Sequence, residues 1–433
     1  MKMIIEISNA PVHLQGHLNM KEAELIPHLF RTEYRKIVSV LCKQFGIQYI
    51  EIAEDIVSDT FLLASETWGL KGLPKNPAAW LYSVSRNKAI DFLRRNRIFN
   101  SKISPEFKQS EHSNMDIDID LSNENINDSQ LQMMFAICHP CISTEAQIGL
   151  SLSLLCGFGV EEIADAFLTN KEVVYKRLAR AKEKLRNEGV VIEMPDDIEI
   201  NARLDAVLTT VYLLFSEGYY SASVNTTLRK DLCIEAMRLM LMLVENEQTN
   251  TPAANALLSL MCFHSSRFEA RINQYGELIL YGEQDERLWN TELIEKGIYY
   301  LERASRGNQL TKYHLEAAIA YWHTHKRDSK EKWENILQLY NRLLQIEYSP
   351  IVALNRTYAL SKANTREEAI IEAEKLPLEG DHLFHALLAN LYTGIDKTKA
   401  LYHLHKALAL AKTASDKKII NDNIARLTEE NGV

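Results

Sequence analysis

Apolar residues recur at helical intervals along almost the whole chain. Phe30, Tyr34, Ile37, Val38 and Leu41 fall on one stripe, which predicts a first helix between Lys21 and Phe45-Gly46. A second helix, Tyr49–Trp68, has apolar Ile52, Ile56, Phe61 and Leu63, with Glu51, Glu54, Asp55, Ser58 and Asp59 as an acidic flank. Residues 69–74, GLKGLP, break it. A third helix starts after Asn76-Pro77, with proline suited to a first helical turn. Residues 129–158 read as helical, interrupted at Pro140 and Ser143-Thr144. Two shorter helices follow. The first, Val160–Phe167, buries Ile163, Ala164 and Phe167. After Leu168-Thr169-Asn170, the second carries Val174, Leu178, Ala181 and Leu185 in one stripe, with Asn170 placed as its cap.

Past a short linker at Ile192–Asp197 the helical pattern continues, with Arg203–Ser216 and Asp231–Glu245 on either side of FSEGYY, Phe215–Tyr220. Gln284–Trp289 mixes charge with an aromatic and reads as a helix cap. From Lys312 the helices come in pairs beginning at Tyr313, Pro350 and Asp381, spaced 37 and 31 residues. That straddles the tetratricopeptide period of about 34 residues. Stacked helical pairs curve into a concave surface that takes a peptide or protein. Strand signals are nearly absent, so the expected fold class is all-α.

Length and composition narrow the class. The 433 residues are enough for about three domains, and 46% hydrophobic with 25% charged residues is the balance of a globular protein. No apolar run reaches the roughly 20 residues of a membrane helix, and no signal peptide is visible, so a cytoplasmic protein is expected. The six cysteines mostly sit in apolar helical patterns, as buried thiols do in a reducing compartment. Cys138-His139-Pro140-Cys141 has redox or zinc spacing, but no further ligand pair and no βαβ pattern accompany it. Neither a metal nor a cofactor is expected. Nucleophile triads, paired catalytic carboxylates and phosphate-binding glycine loops are missing from the pattern, so no enzyme is expected.

The formal charge of −9 hides its distribution. The helix from Lys171 carries Lys171, Lys176, Arg177, Arg180, Lys182, Lys184 and Arg186 against Glu172 and Glu183. A basic second helix after a tight turn is the pattern of a helix-turn-helix entering a DNA major groove. The third helix is basic too, with Arg86, Lys88, Arg94, Arg95 and Arg97 against Asp91, and Trp80, Tyr82 and Phe92 interleaved. Aromatics among cations suit unpaired bases. Trp80 and Phe92 fit core packing better, which leaves Tyr82, Arg86 and Lys88 as contact candidates. Between these two helices lies an acidic, Ser- and Asn-rich stretch, read as a flexible linker.

EDIVSDTF, then NPAAWLYSVSRNKAIDFLRR, an acidic linker and VVYKRLARAKEKLR together resemble the two-domain layout of extracytoplasmic-function sigma factors of bacterial RNA polymerase. LQMMFAICHPCIS, RLDAVLTTVYLLFSEGYY and the long extension are similar to the group with a C-terminal tetratricopeptide-like domain. The resemblance implies a tail at 1–20, a sigma-2-like domain at 21–98, an acidic linker at 99–128, a sigma-4-like domain at 129–190 and an all-helical extension at 191–433, repeat-like from about 312. It further implies that Asp55, Asp59 and Phe61 contact the clamp helices of the polymerase largest subunit. Tyr82, Arg86, Asn87, Lys88, Arg94 and Arg95 would meet the −10 element. Lys171, Glu172, Tyr175, Lys176, Arg177 and Arg180 would face the −35 major groove, although Tyr175 stands where a polar or basic residue is usual. The implied partners are core polymerase, promoter DNA and a possible protein at the repeats. Two other readings fit parts of the pattern: a one-component DNA-binding regulator with a repeat-type sensor, and a helical scaffold without DNA affinity.

Overall fold

The computed structural model describes residues 22–103, 119–220, 226–273 and 279–429, and no strand occurs among the described residues. The tail expected at 1–20 and most of the expected linker, residues 104–118, lie outside the described residues. Two compact units divide the chain, Met1–Thr249 and Asn250–Val433.

Helix α1 (Glu22–Phe45) is the centre of the first unit. It buries Tyr34, Ile37, Val38 and Leu41 and packs against α2 (Ile50–Lys71), α3 (Pro77–Ile103) and α4 (Asn123–Ile137). Helix α2 runs through Gly69, where the pattern suggested a stop, and ends instead at Gly72. A glycine inside a helix costs only about 1 kcal/mol, whereas the φ of 81° at Gly72 is one that a side chain opposes. Pro77 opens α3 as expected, with Asn76 Oδ1 accepting the Ala79 N–H at 3.0 Å. The acidic stretch gives residues to helices at both ends. Helix α3 continues to Ile103, and α4 starts at Asn123 behind a Ser122 cap whose hydroxyl accepts the Asn125 N–H.

Helix α5 (Thr144–Leu150) runs into a single π turn, Ser151–Leu155. Helices α6 (Val160–Ala166) and α7 (Lys171–Asn187) follow, joined by four residues. In that turn Leu168 adopts a φ of 48°, which costs a residue with a Cβ about 1–2 kcal/mol. The N–H groups of Leu168 and Thr169 donate to the Asp165 and Ala164 carbonyls at 3.3 and 2.9 Å, and these bonds hold the conformation.

Helices α8 (Asp197–Tyr220) and α9 (Thr226–Glu245) complete the first unit. FSEGYY is not a break: it is the last turns of α8, where Phe215 and Tyr219 are buried and stacked at 5.7 Å. Helix α8 packs on α4 and α5, and α9 packs on α4 and α6. Two helices of the extension expected from residue 191 therefore belong to the first body.

The second unit begins with α10 (Pro252–Ser265) and α11 (Thr291–Ala304). They cross closely because Gly297 has no side chain; a Cβ there would stand 2.5 Å from the Phe263 ring. Residues 286–288 form one 3-10 turn capped by Asp285, and Asn290 caps α11. Three pairs follow: α12 (Lys312–Trp322) with α13 (Lys330–Ile346), α14 (Pro350–Ala363) with α15 (Arg366–Ala373), and α16 (His382–Tyr392) with α17 (Lys397–Leu410). Helix α18 (Ala414–Glu429) ends the unit. Each of these helices packs on the next, α14 also on α16, and one core runs through Ile336, Ala359, Ala369, Leu391 and Leu404.

Candidate nucleic-acid interface

Helix α7 has two working faces besides its buried stripe. Asn170 caps it as the sequence predicts, Oδ1 accepting the Val173 N–H at 2.9 Å. Val174, Leu178, Ala181 and Leu185 are buried. Glu172, Lys176 and Arg180 recur every fourth residue and form an exposed row with Lys171 and Tyr175 alongside. Arg177 is half-buried, its guanidinium over the Phe167 ring at 5.9 Å. On the opposite flank Lys182, largely buried, and Arg186, still exposed, pair with carboxylates of α2. Lys182 Nζ meets Glu54 Oε2 at 2.5 Å, and Arg186 meets Glu51 at 2.7 Å.

Helix α3 exposes Arg86, Asn87, Arg94 and Arg95. Asn87 and Arg94 lie seven residues apart and so share a face. Trp80 is half-buried and edge-on to Trp68, and Phe92 packs between Phe45 and Tyr49, the core placement that their spacing favoured. Tyr82 is a correction: it is half-buried and its hydroxyl donates to Glu33 Oε2 at 2.5 Å. Burial and the Glu33 carboxylate together push the phenol well above its ordinary range. Burial alone would raise Glu33 as well, but Lys36 and the Tyr82 hydroxyl outweigh it and hold the carboxyl low. Tyr82, Ser83 and Arg86 line a shallow cleft of about 300 Å³ with Ile119, Asp120 and Leu121.

Helix α2 presents Asp55, Ser58 and Asp59 to solvent. Phe61 does not join them. It is 4% exposed, edge-on to Phe30 at 5.1 Å, and is a core residue rather than a docking contact. The sequence missed its neighbours: Leu62 is 59% exposed and Leu63 stands beside it, one helical turn from Asp59 and two from Asp55. An apolar residue out of phase with the buried stripe was the available signal. Lys88, expected at DNA, and Asp59, expected at polymerase, are 3.4 Å apart and form an ion pair with each other.

The Cys138–Cys141 segment is a turn between α4 and α5, with the Cys141 N–H donating to His139 Nδ1 at 3.2 Å. Cys138 lies in the core, where burial raises its thiol to about 11. Among the described residues no cluster of three or more His, Cys, Asp or Glu is arranged to hold a metal ion. No described helix is long and apolar enough to cross a membrane.

Comparison with known proteins locates this geometry. Residues 29–98, from α1 to near the end of α3, match Sigma-70 region 2. Residues 203–305, from α8 to the end of α11, match a family of unknown function, DUF6596. An uncharacterized protein of Rhizobium meliloti (strain 1021) is 32% identical over 387 residues, which cover 88% of this chain and 91% of the relative. No solved structure matches the chain. The exposed acidic row of α2 and the exposed cations of α3 both lie within the matched region, which supports a sigma-factor-like role in transcription initiation. The chain belongs to one family with that rhizobial protein, and its own N-terminal domain is a sigma-70 region 2.

Proposed function

We propose that this chain is an RNA polymerase sigma factor of the extracytoplasmic-function type, acting in the cytoplasm to direct promoter-specific initiation. Asp55 and Asp59, with Leu62 and Leu63 beside them, dock on the clamp helices of the largest polymerase subunit. Arg86, Asn87, Arg94 and Arg95 on α3 engage the −10 element as it melts, where cations track the backbone of single strands. Helices α6 and α7 act as a helix-turn-helix at the −35 element, with Lys171, Glu172, Tyr175, Lys176 and Arg180 toward the groove, because the N-terminal half of such a helix reads base edges. The polymerase performs the chemistry. The helical pairs from α12 onward form a tetratricopeptide-like module for a protein partner, a reading supported by their successive packing and by the contact of α14 with α16.

The observation that carries this reading is the match of residues 29–98 to Sigma-70 region 2, with an exposed acidic and leucine row on its second helix. Run-off transcription with core polymerase and genomic promoter fragments tests it. The full chain is expected to yield discrete transcripts. Leu62→Asp is expected to reduce core binding at least tenfold while leaving the fold intact, since the side chain is exposed. A chain that neither binds core nor starts transcripts, yet binds duplex DNA alone, returns the assignment to a one-component regulator.

A further inference from the structure

The helices assigned to the two promoter elements do not stand apart. Helix α7 packs on the Ile47–Tyr49 turn that leads into α2. Its inner flank is pinned there by Lys182–Glu54, with side chains 12% and 19% exposed, and by the more open Arg186–Glu51 pair. A second set of bonds ties the same two regions through α9. Asp231 pairs with Arg31 at 2.5 Å, and Arg31 also reaches Glu162 of α6 at 2.6 Å. One turn along both helices, Glu235 pairs with Arg35 and with Arg238, all three largely buried. Arg238 then donates to the Leu155 carbonyl at 2.5 Å, at the end of the π turn after α5. Helix α9 thus grips α1 with one row of carboxylates and the α5–α6 region with an arginine. Apolar packing of α1 on α4 lies beneath.

We propose that α8 and α9, with the Lys182–Glu54 and Arg186–Glu51 pairs, form an intramolecular clasp that holds the free protein shut and must release before it engages a promoter. The inference rests on the sigma-factor reading. Elements centred near −10 and −35 lie about 25 base pairs apart, roughly 85 Å of duplex at about 3.4 Å per pair. Helix α2 itself is only about 33 Å long at about 1.5 Å per residue, so α7 in direct contact with its N-terminal end leaves the two DNA-facing helices far too close to span that interval. Of the pinned carboxylates, Glu51 sits one turn before Asp55 and two before Asp59, and Glu54 immediately precedes Asp55, so the clasp and the polymerase compete for adjoining turns of one helix. This gives the first part of the segment matching the family of unknown function a job: it brackets the initiation domains.

Distance measurement on the full chain tests the clasp, with labels placed through encoded azides at Lys71 of α2 and Asn187 of α7 so that native cysteines are untouched. Reversing the buried Glu235 would risk the fold, so the Lys182–Glu54 and Arg186–Glu51 pairs are the ones to change, with the full charge swap as the control for misfolding. The free protein is expected to give one short distance. Lys182→Glu with Arg186→Glu should broaden it and tighten core binding several-fold, and adding Glu51→Lys with Glu54→Lys should restore the short distance. Core polymerase should lengthen the wild-type distance by tens of ångströms, about what the duplex interval demands. A long or broad distance in the free wild type, a charge reversal without effect, or a core-bound protein that stays short would each overturn the clasp. Failure to bind core with a short, charge-sensitive distance would sink the sigma-factor reading alone.

Discussion

Tyr82 shows how a single side chain changes meaning once its neighbours are known. By spacing it belongs among the cations of α3; in the fold its hydroxyl is held by Glu33 on α1. A hydrogen bond to a charged group contributes about 1.5–3 kcal/mol, so Tyr82→Phe is expected to destabilise the α1–α3 packing by about that much at pH 7. The sign with pH follows from Glu33, whose carboxyl is held below its ordinary 4.5. A depressed carboxyl contributes stability that is present above that value and lost as pH falls through the folded one. The deficit of the variant should therefore shrink as pH falls below 4.5. Amide exchange in α1 and α3, compared at pH 7 and pH 4, measures it, and equal protection in both proteins would show that the hydroxyl does not support Glu33. Phe61 and Leu62 make the same point: which of two adjacent apolar residues faces solvent depends on helix phase, and only the fold showed Leu62 outside.

Among the elements, those with a local start or stop signal were legible in the sequence. Asn170 and Pro77 open α7 and α3 where the pattern put them, and the three helical pairs from Lys312 begin close to the expected residues. Elements whose limits depend on packing were misjudged. FSEGYY contains a glycine and polar residues, so it reads as a break, yet Phe215 and Tyr219 find a buried face and the helix continues. The start of α4 was hidden in an acidic stretch because its apolar content, Ile126 foremost, is sparse. Gly297 is a prediction at this scale. Alanine there would drive a methyl group into Phe263 at the α10–α11 crossing, and overpacking of this kind costs about 1–3 kcal/mol. Gly297→Ala is expected to lower the thermal midpoint of the second unit; an unchanged midpoint would mean that the helices part without cost.

Across the whole molecule, charge and packing answer different questions. A net charge of −9 says nothing about DNA while the cations gather on α3 and α7. Affinity that comes from phosphate contacts should fall with salt according to the number of local cations engaged, not the total charge. Arg180→Ala is expected to flatten the salt slope of promoter binding by about one, and to weaken binding by about 1–3 kcal/mol where it also reads a base. Arg177→Ala should change the slope less, since its guanidinium already lies over Phe167. Titration of labelled promoter DNA from low to high salt checks both, and equal slopes for Arg180→Ala and wild type would remove Arg180 from the phosphate contacts.

By itself the sequence determined the all-helical class, the positions of most helices, the cap of α7 and the two concentrations of positive charge, because periodicity, capping and charge are written in neighbours a few residues apart. It also held the acidic row of α2. Only the tertiary structure decided that Lys182 and Arg186 point at Glu54 and Glu51, that α8 and α9 join the first unit, and that Tyr82, Phe61 and Lys88 are committed to partners inside the protein. Those contacts join residues 29 to 200 positions apart. No local pattern encodes such a pairing, because it depends on which faces remain apolar after every helix has formed and on which opposite charges then come within reach.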